Sequence, residues 1–474
     1  MEDAEIFDID VLRDLSTRLR EWNWSLTAHL RNRELVAVSP PGSRSTALAV
    51  DLGSTKIAGY LVDLESGKKL AAKGVMNPQI GYGEDIITRI NFAIRSPDGQ
   101  KRMAELIKDA LMTLAQDLCG EAGTEIGAIL EAVMVGNTAM HHLTLGFPVR
   151  QLALSPFVPG VRGHLNVKAR EIGLNFAPGA YVYFPPNIAG FVGADHLAAL
   201  MATAGEWAHG NVIVLDIGTN TEISLVAQGK ITSVSCASGP AFEGYHISSG
   251  VRAAPGAIEK VNLSRGHIHY QTIDHAEPIG ICGSGILDSV SQLFLAGVLD
   301  SGGRIQKGSH HRVVEKSGRL EFILVPQKEL RRDKAISVTQ KDVREVQLGK
   351  AAIQAALRVL LSQAAFSETE IDRVVIAGAF GSYIDISNAV AVGMLPRLPL
   401  SRFHQVGNAA GTGARILLLS AAKRREAHDL LKRIHYLELA GTPQFSDAFT
   451  SACVLGPYDP APGLGAGNVR VERD

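Results

Sequence analysis

Ala47-Leu-Ala-Val-Asp-Leu-Gly-Ser-Thr-Lys56 and Asn211-Val-Ile-Val-Leu-Asp-Ile-Gly-Thr-Asn-Thr221 follow one pattern: a short apolar run, an Asp, one spacer, a Gly and a hydroxyl residue. The apolar run reads as a buried strand that carries the Asp to its C-terminal end. A carboxylate there can hold a hydrated Mg2+. The Gly permits a tight turn and close backbone approach. Turn N–H groups and the Ser/Thr hydroxyl are then left to face phosphate oxygens. Asp51, Gly53, Ser54 and Thr55 fill these roles in the first loop, and Lys56 offers a cation. Asp216, Gly218, Thr219 and Asn220 fill them in the second, 165 positions later.

The surroundings repeat as well. Ile57–Val62 and Lys69–Val75 read as strands after the first loop, Glu222–Ala227 and Lys230–Val234 after the second. Helices are expected at 84–94, 102–118, 194–204, 343–365 and 413–434, with further strands at 132–135, 181–184 and 373–377. Three strands in hairpin order followed by alternating helices and strands, twice over, predict a duplicated, two-lobed α/β fold. The division expected is 1–45 as an appendage with a helix within 11–30 and a strand at 34–38, 46–209 as lobe I, 210–440 as lobe II with insertions, and 441–474 as a tail. A third element, Val374-Val-Ile-Ala-Gly-Ala-Phe-Gly381, ends a strand in small residues, so Gly378, Ala379 and Gly381 suit a flat adenosine. Gly407-Asn-Ala-Ala-Gly-Thr-Gly413 opens the final helix and serves either an anion or close helix packing.

Composition narrows the class. Lys and Arg number 47 against 48 Asp and Glu, which argues against a dedicated nucleic-acid binder. Four cysteines stand far apart with no C-x-x-C spacing, so neither a disulfide framework nor an iron–sulfur cluster bound by this chain is expected. No apolar run reaches the roughly 20 residues of a membrane span, and an acidic start is unlike a secretory leader. A cytoplasmic protein without membrane or nucleic-acid partners is the expectation.

These loops, together with Val135-Gly-Asn-Thr-Ala-Met-His-His142, Pro185-Pro-Asn-Ile-Ala-Gly-Phe-Val-Gly-Ala-Asp195, Ser238-Gly-Pro-Ala-Phe-Glu-Gly244, Gly280-Ile-Cys-Gly-Ser-Gly285 and Val343-Arg-Glu-Val-Gln-Leu-Gly-Lys350, resemble the ATPase domain of the reductive activators of corrinoid proteins. That domain belongs to the superfamily of acetate and sugar kinases, heat-shock chaperones and actin. The resemblance covers about 47–439. It implies an actin-like (ribonuclease H-like) fold with a nucleotide cleft between lobes, ATP and Mg2+ as cofactors, and ATP-driven Co(II)-to-Co(I) reduction of a corrinoid protein of a methyltransferase system. Asp51 and Asp216 would handle Mg2+ and the attacking water. Gly136, Thr138, Gln347 and Lys350 would act as hinge contacts where segments cross between lobes. Asn137 would orient water or cap the following helix. Residues 1–45 look like the end of a middle domain, the electron donor would be separate or fused, and a homodimer is possible. A small-molecule kinase is the alternative, with Glu243 or Asp195 as base, and a nucleotide-switched scaffold comes third. His267 and His269 share a strand face, read as exposed; the polar stretch from Glu259 to His275 is a candidate partner-binding insertion.

Overall fold

The computed structural model describes residues 4–330, 334–378, 380–440 and 442–457. Ala379 and the expected tail beyond residue 457 lie outside this range.

The chain opens on a small module: β1 (Ile6–Phe7), α1 (Ile9–Glu21), β2 (Thr27–Arg31) and β3 (Glu34–Ser39), with strand order β1-β3-β2. Asp8 caps α1 by accepting from the Asp10 N–H. The helix expected within 11–30 starts at Ile9 and ends at Glu21, and Asn23 and Trp24 beyond it take left-handed φ values of 50° and 62°, which no helix continues through. The residues beyond form a strand instead. Along α1 Val11 is buried, whereas Leu12 is exposed.

Next come β4 (Thr46–Leu52), β5 (Lys56–Asp63), β6 (Lys69–Met76), α2 (Ile86–Arg95), α3 (Gly99–Ala122), β7 (Ile129–Gly136), α4 (Thr138–Leu145), β8 (Leu165–Lys168) and β9 (Tyr181–Phe184). They build a six-stranded sheet of order β6-β5-β4-β7-β9-β8. Then follow α5 (Ala194–Ala202), α6 (Ala204–Trp207), β10 (Val212–Ile217), β11 (Thr221–Ala227) and β12 (Lys230–Cys236), and after them β13 (Ala257–Ser264), β14 (His267–Thr272), β15 (Gly280–Ile281), α7 (Gly283–Leu295), β16 (Val313–Lys316), β17 (Arg319–Val325), β18 (Ile336–Thr339) and α8 (Gln340–Gln363). The chain ends through β19 (Arg373–Ala377), α9 (Ile386–Ala391), β20 (Phe403–Gly407), α10 (Ala409–Leu419), α11 (Ala421–Arg433), β21 (Ile434–Tyr436) and α12 (Pro443–Ala452). The expected last helix is two: Ser420 leaves helical geometry and caps α11, accepting from the Lys423 N–H.

The second large sheet has the order β20-β19-β10-β11-β12-β21. Read outward from the strand with the loop Asp, β6-β5-β4-β7-β9 and β12-β11-β10-β19-β20 are the same arrangement. In both, the first two strands pair antiparallel, Val50 opposite Gly59 and Leu215 opposite Ile223. This is the duplicated α/β architecture expected.

The chain forms two compact units. The first takes the chain up to Ser235 plus Val375–Ser382 and Gln405–Leu437; the second takes Cys236–Val374, Tyr383–His404 and the chain from Glu438 on. The division expected at 209/210 is therefore not where compactness divides. One apolar cluster spans that position, joining Ala47, Ala49 and Val133 to Val212, Val214 and Val375 through Leu197 and Ala198 of α5 and Ala414 and Leu417 of α10. Burying that continuous apolar surface is what holds the repeats in one body. The appendage belongs to it too. Leu35, Val36 and Ala37 are buried, and Asp8 accepts hydrogen bonds from Arg170 and an ion pair from Lys168. The second unit carries two small sheets, β14-β13-β15 and β16-β17-β18.

Candidate functional site

All elements of the twin-loop site lie in the first unit. Asp51 is carried by β4, whose parallel partner β7 sets Asp51 opposite Val135. The loop after it is tight: a Cβ on Gly53 would sit 2.4 Å from the Lys56 carbonyl. Asn77, at the end of β6, braces this loop. Its side-chain amide donates to the Gly53 carbonyl at 2.9 Å and its backbone N–H to the Thr55 carbonyl at 3.0 Å. Its Oδ1 accepts from the Gln79 N–H, so the brace is itself held. Lys56 is exposed, and its stem lies over Gly74 of β6.

The second loop starts from Asp216 on β10. The Gly218 N–H donates to the Asn220 carbonyl at 3.0 Å, closing the turn. Gly378 ends β19 with φ +93°, and a Cβ there would meet the Ile217 carbonyl at 2.5 Å and Asp216 Oδ1 at 2.8 Å. Glycine is required on both counts. Gly381 is equally close-packed, its missing Cβ facing the Ala377 carbonyl at 2.3 Å. The two loops meet: the hydroxyls of Thr55 and Thr219 are 3.2 Å apart.

Around them gathers a set of carboxyl groups. Asn408, at the start of α10, donates from its amide to Asp51 Oδ2 at 2.9 Å, and its Oδ1 caps α10 by accepting from the Gly411 N–H at 2.7 Å. Burial raises Asp51 to about 6, an effect the Asn408 bond partly offsets. Asp216 is raised to about 7, by burial first and then by the charge of Asp51. Asp195, in the first turn of α5, is raised further by burial and then by the charges of Asp51 and Asp216. Glu222, cross-strand partner of Asp216, is raised by burial and by Asp195 and Asp216, although it accepts from the Ser235 hydroxyl at 3.1 Å. Burial raises all four carboxyl groups, and neighbouring acids add to the rise at Asp195, Asp216 and Glu222, so the group is short of a cation. Behind it, buried His196 bonds Ser224 at 2.7 Å, and Ser224 bonds Ser233 at 2.6 Å. Burial holds His196 at about 3, so it is neutral.

Among the described residues, no three His, Cys, Asp or Glu side chains form a ready metal cage. Mg2+ keeps several waters and needs only one or two carboxylates plus phosphate oxygens, and Asp51 and Asp216 stand at the two loops. The hydroxyl-lined glycine turns fit a polyphosphate, so the residues present fit Mg·ATP.

The remaining expected residues fall elsewhere. Asn137 caps α4, its Oδ1 accepting from the Met140 N–H at 2.8 Å. Gly136 packs on Leu52, and Thr138 donates to the Ala189 carbonyl at 2.6 Å. Gly193 leaves room for the Gly136 carbonyl, 2.2 Å from where its Cβ would be. This stretch therefore fixes α5, which carries Asp195, against the end of β7. Gln347 and Lys350 lie on α8 in the second unit. Gln347 donates to the Cys453 carbonyl at 2.8 Å, and buried Lys350 bonds the Val454 carbonyl. The chain passes between its units at Ser235, Val374, Ser382, His404 and Leu437. Gly413 resolves the choice left open in the sequence: its missing Cβ would sit 2.0 Å from the Ala198 carbonyl, which is close helix packing. His267 and His269 are exposed on β14, as expected.

Sequence reasoning did not find Asn77, Asn408 or Glu222 as site residues, and weighed Asp195 only as a kinase base. Glu222 had a signal, six residues after Asp216 on the returning strand. Asn77 and Asn408 had none, because each reaches its loop from a distant position in the chain.

Comparison with known proteins follows the same lines. Residues 210–462 match a family model described as the C-terminal domain of RACo, the ASKHA domain, and residues 46–205 match the RACo middle region. Residues 1–45, expected to be the end of a middle domain, lie outside both; the middle-region match begins where lobe I was expected. The chain is 34% identical over 417 residues to the corrinoid activation enzyme RamQ of Eubacterium limosum, covering 86% of this chain and 70% of that protein. It is 26% identical over 440 residues to a [Co(II) methylated amine-specific corrinoid protein] reductase of Methanosarcina barkeri, covering 85% and 75%. A solved reductive activator for corrinoid, iron-sulfur protein superposes with a TM-score of 0.87 at 35% identity, over 96% of this chain and 74% of that one.

Proposed function

The chain belongs to the family of reductive activators of corrinoid proteins, and on that premise we infer that it is an ATPase that drives Co(II)-to-Co(I) reduction of a corrinoid protein serving a methyltransferase. The observation that carries the ATP half of this reading is the meeting of the twin loops, Thr55 against Thr219 at 3.2 Å, beside carboxyl groups raised chiefly by burial. The corrinoid half rests on the relatives.

In this mechanism Asp51 and Asp216 would hold Mg2+, while Gly53, Ser54, Thr55, Gly218, Thr219 and Asn220 would bind phosphate oxygens. The cation would supply charge neutralisation for the transferring phosphoryl group. Gly378 and Gly381 let the chain turn tightly after β19, beside which the adenosine would lie. Asn408 orients the Asp51 carboxylate, and Asn77 keeps the first loop in its turn. With the cation's charge present, Asp51 is ionised. Asp216, ionised by the same cation, would accept a hydrogen bond from the attacking water and orient it. Asp195, the carboxyl pushed above both, keeps its proton and donates a hydrogen bond. The electron comes from a separate or fused low-potential donor, and one electron converts Co(II) to Co(I).

The test is ATP turnover with and without a Co(II) corrinoid protein, followed alongside the cobalamin absorbance with a reductant present. Asp51→Asn and Asp216→Asn should each lower turnover at least about 100-fold with the fold intact; unchanged turnover in both sinks the site. Asp195 among the acids also favours a second reading, a small-molecule kinase. Phosphoryl transfer to a sugar, polyol or carboxylate panel in place of water would establish that instead.

A further inference from the structure

The second unit carries two segments, the β13–β14 hairpin and the stretch leading into the β16–β17 hairpin, whose charge departs from that of the chain as a whole. Residues 259–269 and 304–319 hold seven Lys and Arg against two Glu, with four His among them, in a chain of net charge −1. The two segments are joined in space. His310 Nε2 donates to the Gly266 carbonyl at the tip of the β13–β14 hairpin at 3.1 Å, and its Nδ1 accepts from the Arg312 N–H at 3.1 Å. His310 stacks on His311 and leans on Phe322 of β17. Beneath, Val261, Leu263 and Ile268 face Phe322 and Leu324 around a space of about 10 Å³, too small for a ligand, so the hairpins share a closed apolar floor.

The outer surface is open and polar. Lys260, Arg265, His267, His269, His311, Lys316 and Arg319 are all exposed. Among the described residues β14 is an edge strand: the sheet order is β14-β13-β15, and no strand lies beyond β14. The other side of the hairpin is guarded differently. The free N–H groups of Val261 and Leu263 on β13 donate to Asp288 and Gln292 of α7. So β13 is capped by helix side chains, while the outer edge of β14 keeps its backbone groups available. An exposed strand edge beside clustered cations binds a protein that presents an extended segment and an acidic face. A nucleic acid would use the cations but has no use for the strand edge.

We propose that the β13–β14 hairpin and the adjoining His310–Arg319 segment form a docking surface for an acidic face of the corrinoid protein. The identity of that occupant rests on the function proposed above; the acidic character rests on the hairpins.

The experiment measures binding of the full chain to a Co(II) corrinoid protein at about 50 mM and about 300 mM salt, with basal ATP turnover and Co(I) formation recorded in parallel. One triple variant carries Lys260→Glu, Arg265→Asp and Lys316→Glu. A control triple, Lys69→Glu, Lys101→Glu and Lys230→Glu, makes a comparable charge change in the first unit. The expected result is binding that weakens with salt, a loss of at least about tenfold in the hairpin triple, little change in the control, and basal turnover unchanged in both. Equal binding by the hairpin triple, or equal loss in both triples, overturns the docking surface while Co(I) formation by the parent leaves the proposed function standing. Tighter binding of single-stranded RNA than of the corrinoid protein also overturns it. A parent that neither binds nor supports Co(I) formation overturns the function and the surface together.

Discussion

Asn408 ties two structures together with one side chain, and its two bonds can be separated by substitution. Its Oδ1 caps α10 through the Gly411 N–H, and its amide donates to Asp51 Oδ2. Losing an N-cap costs about 1 kcal/mol. A hydrogen bond to a charged acceptor contributes about 1.5–3 kcal/mol. Asn408→Ala removes both, so a loss of about 2.5–4 kcal/mol is expected. Asn408→Ser keeps a good cap but has no amide to reach Asp51, so it should lose only the second part, about 1.5–3 kcal/mol. Asn408→Asp also keeps the cap, but it sets a second carboxyl against Asp51, whose value burial has already raised to about 6. The sign follows from linkage: a carboxyl raised in the folded state opposes folding above its folded value, and this opposition fades as pH falls. The Asn408→Asp variant should therefore be weakest at pH 8 and recover toward pH 5, where a shared proton replaces the lost amide hydrogen. The assay is denaturant unfolding followed by tryptophan fluorescence, since all three Trp, Trp22, Trp24 and Trp207, lie in the first unit. Equal stability of Asn408→Ser and the parent, with Asn408→Ala lower by the cap alone, would refute a stabilising role for the bond to Asp51. ATP turnover should fall in all three variants, because Asp51 loses the group that orients it.

Other substitutions probe separate parts of the same reasoning. Asn77→Ala removes the brace on the first loop; a rise in KM for ATP is expected, with a loss of about 1–3 kcal/mol for the unpaired buried carbonyl, and unchanged KM would show that the loop holds itself. Gly413→Ala forces a methyl against the Ala198 carbonyl, neither of which can swing away; thermal unfolding should show about 1–3 kcal/mol lost. Asp216→Asn should stabilise the metal-free chain at pH 8. Its carboxyl is raised from 3.8 to about 7, which converts to about 4 kcal/mol before solvent relaxation and to about 1–2 kcal/mol after it. The gap should narrow as pH falls toward 5, so a pH-independent gap contradicts the acid cluster. Asp8→Asn tests the seating of the N-terminal module. Burial works to raise Asp8, but hydrogen bonds from Arg170 and Lys168 outweigh it and hold the carboxyl at about 2. Its contribution is present above the ordinary value of 3.8 and is lost as pH falls through about 2. At pH 7 the variant should exchange amide hydrogens faster across β1–β3, and unchanged exchange there contradicts the charge-mediated seating.

By itself the sequence determined the strand and helix pattern, the duplication, and the placement of Asp51 and Asp216 at strand ends. These are local matters: apolar runs, glycine turns and helix periodicity act within a few residues, so they can be read one stretch at a time. A boundary that failed was governed by a single backbone residue, Ser420, which splits the last helix. Only the tertiary structure decided where the compact units divide, because α5 and α10 bury apolar surface shared by both sheets, and contact across hundreds of residues leaves no local periodicity. It alone decided that Asn137 is a cap, that Lys350 faces the Val454 carbonyl, and that Asn77 and Asn408 brace the first loop and its acid from far along the chain. It also brought the separate acids Asp51, Asp195, Asp216 and Glu222 out of water together, and that burial, which raises all four, with repulsion added at Asp195, Asp216 and Glu222, exists only in the folded chain.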